Sequence, residues 1–321
     1  MPESIDVSVI VPTWKAAAFI EHAIQSALAS NAVNVEVVAV DDASPDATFS
    51  VLGQLAAKYS QITARQLAKN SGPSAARNLA IATARGRYIA ILDADDTIRP
   101  ERLAKLVALA DRSDADIVVD NMIEVDEAGQ PIGSEPFLKS RDFAASRDID
   151  LLTWIRFNNP MTGGDTIGYL KPLIRRSTLQ RTGVTYDTSL RNSEDYYLIA
   201  DLLAEKARMI YSPDADYFYT RSSSSTSHRL KPEQTLAWLA AEKRFVARHG
   251  AKLSAKEKAA LARRDRVLRN VNQLVAVTDT LKAKKLTASA RLMASDLQGA
   301  AYTLGVLSKV AVNRVLRRKS V

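Results

Sequence analysis

From residue 7 to residue 110 the chain alternates four times between a short apolar run and a longer segment with apolar residues at helical spacing. The runs at 7–11 (VSVIV), 35–40 (VEVVAV) and 88–92 (YIAIL) are β-branched and too short for core helices. They therefore read as buried strands, with 62–67 as a weaker one. Segments 18–29, 47–59, 73–84 and 100–110 read as helices. In the first, Phe19, Ile20, Ala23, Ile24, Ala27 and Leu28 share one face. The third has Pro73 in its first turn and Gly86 just past its end. Strands alternating with helices at this spacing imply an α/β fold: a mostly parallel sheet with helices on both faces.

The pattern changes after Asp111. Short strands are expected at 117–119, 122–125, 169–174 and 217–220, and helices at 151–157, 177–181 and 194–205, with a polar, turn-rich stretch at 127–150. From Lys231 onward Pro and Gly thin out and the pattern is helical to the end. The expected organisation is an α/β domain over 1–230 and a basic helical C-terminal region over 231–321. The overall charge of +8 hides an asymmetry. Residues 241–321 hold 19 Lys/Arg against 5 Asp/Glu, leaving 25 against 31 before them, so the two regions are expected to have different partners. The absence of cysteine excludes disulfides and Cys-ligated zinc and fits a reducing cytoplasm. The N-terminus lacks a basic signal-peptide region, and no segment is apolar over the roughly 18 residues of a membrane span. A cytoplasmic location is expected.

In an open parallel sheet, ligands bind beyond the carboxyl ends of the strands. Three of those ends are conspicuous here: Pro12-Thr13, Asp41-Asp42, and Asp93-Ala94-Asp95-Asp96. Crowded carboxylates repel unless something positive lies between them. A divalent cation carrying phosphates would supply that charge; a solvated Asp-rich turn is the plainer reading. The segment KNSGPSAARN (69–78) brings Lys69 and Arg77 beside a helix start, where they could meet phosphates or a base edge. It also reads as an ordinary Gly-Pro helix start with surface charges. Glu194-Asp195 opens an apolar helix, where carboxylates also favour the positive end of the helix dipole.

Taken in order, VIVPTW, VDDASPD, NSGPSAARN, LDADD and SEDYYL resemble the inverting glycosyltransferases of family 2, over roughly residues 5–230. Within that family the chain is similar to bacterial exopolysaccharide enzymes, including those of succinoglycan type. The resemblance implies a GT-A fold, a UDP-sugar donor (glucose from UDP-glucose) and a divalent metal, Mn²⁺ or Mg²⁺. It also implies inversion at the anomeric carbon and a saccharide acceptor linked to lipid. It puts Pro12 and Thr13 beside the nucleotide, Asp42 on the uracil edge with Asp41 in support, and Lys69 and Arg77 near the base or phosphates. It gives Asp93 to the ribose, Asp95 to the metal, Asp195 the role of general base, and His228 a place in a loop over the diphosphate. An inverting displacement needs one carboxylate to take the acceptor's proton, and the metal stabilises the leaving diphosphate. Trp14-Lys15 departs from the family's usual aromatic-Asn pair, and Gly163-Gly164-Asp165 reads equally as an acceptor-side element or a plain loop.

Two rival readings remain open at this stage. Nucleotidyl transfer to a sugar phosphate favours a Gly-rich basic loop after the first strand, which Pro12-Thr13-Trp14 lacks. Nucleic-acid binding is suggested by the basic tail, but Tyr302 is the sole aromatic beyond residue 250, so no nucleic-acid partner is expected. The tail fits an anionic membrane surface better, with Leu297, Ala301, Leu304, Val306, Leu307, Val310 and Leu316 as an apolar side. Packing of that side against protein is the competing expectation.

Overall fold

The computed structural model describes residues 4–160, 164–221 and 230–319, with side chains to 309. The alternating front half folds as β1 (Val7–Thr13), α1 (Ile20–Leu28), β2 (Val35–Asp41), α2 (Thr48–Lys58), β3 (Ile62–Gln66), α3 (Pro73–Thr83) and β4 (Tyr88–Ile91). A two-residue β5 (Thr97–Ile98) and α4 (Arg102–Ser113) follow. Then come β6 (Ile117–Val125), β7 (Arg147–Asp148), α5 (Leu151–Arg156), β8 (Leu173–Arg175), α6 (Arg176–Thr182), α7 (Glu194–Ala204) and β9 (Met209–Thr220).

These strands make one sheet in the order β3-β2-β1-β4-β8-β6-β9-β5, with β7 paired to β9. Strands β1 to β4 are mutually parallel, and β6 runs parallel to β9. Strand β8 lies antiparallel between β4 and β6, so the sheet is mixed but mostly parallel, flanked by helices. Its centre is dry: Val9, Ile10, Val38, Ile89 and Ile91 are fully buried, as strands covered on both faces require. The chain steps from β1 outward to β3, then returns to place β4 on the other side of β1. That reversal opens a crevice between the carboxyl ends of β1 and β4.

Three expectations need correction. The two strands expected around Asp120-Asn121 are one, β6, with a register break between Asp120 and Met122. The segment expected as a strand at 169–174 is a 3-10 turn, Ile167–Tyr169, and then the short β8. Strand β9 begins at Met209, well before the expected residue 217. Asp120 pairs with Ser212 and Met122 with Tyr217, so residues 213–216 bulge out of the ladder. The bulge sends Asp216 to Lys105 Nζ at 2.6 Å.

The chain divides into two compact units, Met1–Asn158 with Gly164–Ser225, and Asn159–Gly163 with Thr226–Val321. The second unit contains α8 (Pro232–His249), α9 (Ala255–Lys282), α10 (Leu286–Ser295) and α11 (Leu297–Lys319). Helix α9 starts with a capping box in which Ser254 and Glu257 bond each other's backbone amides. Helices α8, α10 and α11 all pack on α9. Ala300 and Thr303 of α11 are buried, whereas Leu297, Ala301 and Leu304 of the expected apolar side are exposed. The helix thus packs through Ala300 and Thr303 and leaves Leu297 and Leu304 outward, with Leu307 half-buried.

At the amino ends of the strands, Glu36 is buried beside Ser8 (2.6 Å) and bonded by the Arg85 amide and guanidinium. Gly86 is needed next to it, because a Cβ there would lie 2.5 Å from the Ser8 amide nitrogen. Burial alone would raise the Glu36 pKa; the Ser8 and Arg85 bonds outweigh it and lower it. A lowered carboxyl contributes stability above its unfolded value of about 4.3, lost as pH falls through the folded one. Glu36→Gln is therefore expected to lower stability at pH 7, with the gap to wild type closing below about pH 4. Urea melts at pH 7 and pH 3 measure this.

Candidate active site

The crevice between β1 and β4 is built from groups that fixed backbone elements deliver. Strand β2 ends in Asp41 and Asp42, both buried. Asp41 accepts from Gln66 Nε2 (2.9 Å), the Ser44 amide (3.0 Å) and Thr13 Oγ1 (3.4 Å). Asp42 accepts from the amides of Ser71 (2.6 Å) and Gly72 (2.8 Å). Both carboxylates thus tie the β1, β2 and β3 ends to the NSGP loop. Gly72 has φ +93°, and a Cβ there would lie 2.7 Å from the Arg191 guanidinium, so the loop requires glycine.

Past β4, the three aspartates divide. Asp93 accepts from Arg77 Nη2 (2.9 Å) and Lys171 Nζ (2.7 Å). Burial opposes its ionisation, but the Lys171 and Arg77 charges hold the carboxyl well below the usual carboxylate range. Asp96 is buried and accepts from Tyr217 Oη (2.6 Å) and the Thr220 amide (2.8 Å). Burial, then Asp93 and Asp95, push its carboxyl well up. Asp95 is exposed and has neither hydrogen bond nor ion pair among the described residues. Desolvation within the crevice and the Asp93 charge raise its pKa.

Arg77, buried in α3, also bonds Glu194 Oε1 at 2.6 Å and stands 3.9 Å from Asp195 Oδ1. Its guanidinium lies over the Tyr186 ring at 5.3 Å. Asn78 holds Tyr186 in place through both backbone groups, each at 2.9 Å. Glu194 and Asp195 occupy the first turn of α7. Burial raises Glu194 against the pull of Arg77. Asp195 Oδ1 is buried without a hydrogen-bond partner among the described residues, and Oδ2 lies 3.9 Å from Lys171 Nζ.

Arg77, Asp93, Asp195 and, at the rim, Asp95 therefore come together. Thr13, Asp41 and Asp42 line the adjoining β2 edge. Lys69 is exposed in the loop, Pro12 lies at the end of β1, and Trp14 stands out into solvent. Gly164 is exposed, and Asp165 accepts from the Ser140 amide (2.9 Å). His228 and Gly163 lie outside the described residues. Lys171, Tyr186 and Tyr217 escaped the sequence reading. Lys171 has no motif around it; the antiparallel pairing of β8 with β4, with Pro172 O accepting from the Ile91 amide, carries it to the Asp93 end of β4.

Among the described residues no three His, Asp or Glu side chains converge to hold a cation unaided. A single unpaired carboxylate with a raised pKa still suits Mg²⁺ or Mn²⁺. Such ions bind one or two carboxylates and take their other ligands from water and phosphates. Asp95 fits that role.

A profile of glycosyl transferase family 2 matches residues 8–174, which cover β1 through β8. The chain belongs to glycosyl transferase family 2. It is 34% identical over 291 residues to the succinoglycan biosynthesis protein ExoO of Rhizobium meliloti (strain 1021), covering 91% of this chain and 82% of that one. Among solved structures, S. aureus TarS 1–349 with UDP-GlcNAc superposes at TM-score 0.61 with 20% identity, over 92% of both chains. The mannosyltransferase PcManGT of Pyrobaculum calidifontis, with GDP-Man and Mn²⁺, superposes at 0.59 with 20% identity, over 97% of this chain and 81% of that one. The fold is thus the GT-A fold, and family membership favours sugar transfer over nucleotidyl transfer.

Arg77 neutralises several carboxylates inside the protein, and removing one partner of such a group strands buried charge. Arg77→Met is expected to destabilise the protein by about 3–5 kcal/mol. Lys69→Met, at an exposed position, should stay within about 0.5 kcal/mol of wild type. Denaturant titration of both variants checks the contrast.

Proposed function

We propose that this protein is a metal-assisted, inverting glycosyltransferase that moves a sugar from a UDP-sugar onto a lipid-linked saccharide during exopolysaccharide assembly. The observation that carries the reading is the division of charge at the crevice. Asp95 is left open towards solvent, while Asp195, beside the Tyr186 hydroxyl and across the Arg77–Asp93–Lys171 cluster, has its Oδ1 buried without a hydrogen-bond partner among the described residues. The relative named for succinoglycan biosynthesis and the neighbour holding UDP-GlcNAc support the product class and the nucleotide. UDP-glucose is the donor the resemblance favours.

In this reading Thr13, Asp41 and Asp42 shape the uridine side, with Pro12, Lys69 and Arg77 around it, and Asp93 serves the ribose. Asp95, with His228 from the loop, would hold Mn²⁺ or Mg²⁺, which neutralises charge on the leaving diphosphate when bound. Asp195 accepts the acceptor hydroxyl's proton as that oxygen attacks the anomeric carbon from the face opposite the diphosphate. The test is nucleoside-diphosphate release with Mn²⁺ and UDP-glucose. Asp195→Asn should lower turnover by about 10² or more with donor binding little changed. Asp95→Ala should weaken UDP binding only when metal is present. Near-normal turnover of the first, or metal-independent UDP binding by wild type, would overturn these roles.

The lipid-linked acceptor goes with peripheral contact at the cytoplasmic face of the membrane. No helix among the described residues is long and apolar enough to cross it. Leu286, Leu297 and Leu304 are 68%, 79% and 59% exposed on the strongly basic C-terminal region. Apolar side chains beside Lys and Arg suit an anionic lipid surface. Intact protein is expected to float with anionic vesicles at low salt and less so as salt rises. Leu297→Ser with Leu304→Ser, at exposed positions, should reduce flotation without shifting the melting temperature. No flotation of the intact protein would end the membrane reading.

A further inference from the structure

Lys171 has no part in the roles above, yet it is a lysine only 6% exposed, reaching Asp93 just past the end of β4. Burying an ammonium is costly unless partners compensate it, so its presence demands an account. Its direct partner is Asp93 at 2.7 Å, a carboxylate that Arg77 also bonds at 2.9 Å. A second carboxylate stands within ion-pair range, Asp195, whose Oδ2 lies 3.9 Å from Nζ.

The lysine is held from both sides. Its carbonyl accepts from Arg102 Nη2 at 2.7 Å, and Arg102 is itself locked by Asp120 at 2.7 Å, with both side chains buried. The next residue's carbonyl accepts from the Ile91 amide on β4. The ammonium therefore reaches its partners from a fixed backbone, with Asp93 as its direct hydrogen-bond acceptor at 2.7 Å. Asp195 has Arg77 at 3.9 Å on one oxygen and Lys171 at 3.9 Å on the other. Charges at that distance orient a carboxylate without occupying its lone pairs. A direct bond at 2.7 Å would instead compete with an incoming hydroxyl proton.

We propose that Lys171 is a positioning residue for sugar transfer, tying the donor-side Asp93 to Asp195 and aiming the Asp195 carboxylate at the acceptor hydroxyl. This rests on the reading of Asp195 as the general base. Lys171 touches neither substrate in this account; it acts through Asp195.

The test is a double-mutant cycle on the full chain, with turnover, donor KM, UDP affinity in Mn²⁺ and melting temperature as readouts. Lys171→Met is expected to lower kcat about 10²-fold, the scale of a misplaced catalytic group. Donor KM and UDP affinity should stay within about threefold of wild type. In the Asp195→Asn background the same substitution should change kcat by less than about threefold, since the group it positions is gone. Lys171→Arg keeps the charge and guards against a folding failure of the Met variant. It should fold and lose about tenfold in kcat, again with little effect on top of Asp195→Asn. Full, independent losses in the two backgrounds would overturn the proposal, as would wild-type kcat in Lys171→Arg and Lys171→Met alike. So would a fall in UDP affinity that matches the fall in kcat. Failure of the base reading looks different: Asp195→Asn alone would then turn over near normally.

Discussion

The first unit depends on one half-buried carboxylate shared by two buried cations. Asp93 ends the central strand β4 and is met by Arg77 from α3 and Lys171 from the entry to β8. Arg77 in turn reaches Glu194 and Asp195 at the start of α7. Four elements are therefore joined through two buried cations and the carboxylates around them. Such groups are stable only as a set, because losing any partner leaves an uncompensated charge in a low-dielectric interior. Geometry follows from that requirement. The α7 helix cannot drift from β4 without breaking bonds that burial makes expensive to break.

The same cluster resolves why a core strand should end in crowded carboxylates. The sequence DADD is not one acidic patch but three environments set one residue or two apart. Asp93 is charged and paired, and Asp96 is a buried acceptor for Tyr217 and the Thr220 amide, where its pKa is driven up. Asp95 alone faces outward. Tyr217 joins two of these, bonding Asp96 and accepting from the Asp93 amide at 3.2 Å. The loop is thereby braced from β9, leaving its one unpaired carboxylate at a defined place.

The parallel half was legible because its signals are local. Val7 to Val11 and Tyr88 to Leu92 are apolar runs that can only be buried, and Gly72-Pro73 marks a helix start that the structure keeps. The strand-end aspartates were legible for the same reason. What was not legible depends on pairing. Asp214 and Asp216 mark a turn by composition, yet β9 runs through them because its bulge gives Asp216 the cations Lys105 and Arg99. Lys171 is an ordinary lysine before a proline until an antiparallel strand sets it against β4. The leucines of α11 show the converse failure. Helical spacing identifies an apolar face but not whether protein covers it, and α9 takes the Ala300–Thr303 face instead.

The order of the sequence also divides the proposed labour. Residues up to Asp95 supply the nucleotide side, where parallel strands converge on a crevice whose shape the sheet dictates. The proposed base and its proposed positioning residue come later, from α7 and the entry to β8, where the sheet turns antiparallel. If Asp195 is the base, joining the two halves at Asp93 fixes it against the donor side, and no ion pair of that cluster reaches 127–140. In that proposal the spacing between leaving group and base is set by the charge cluster and not by the acceptor, so it would hold whichever saccharide is bound.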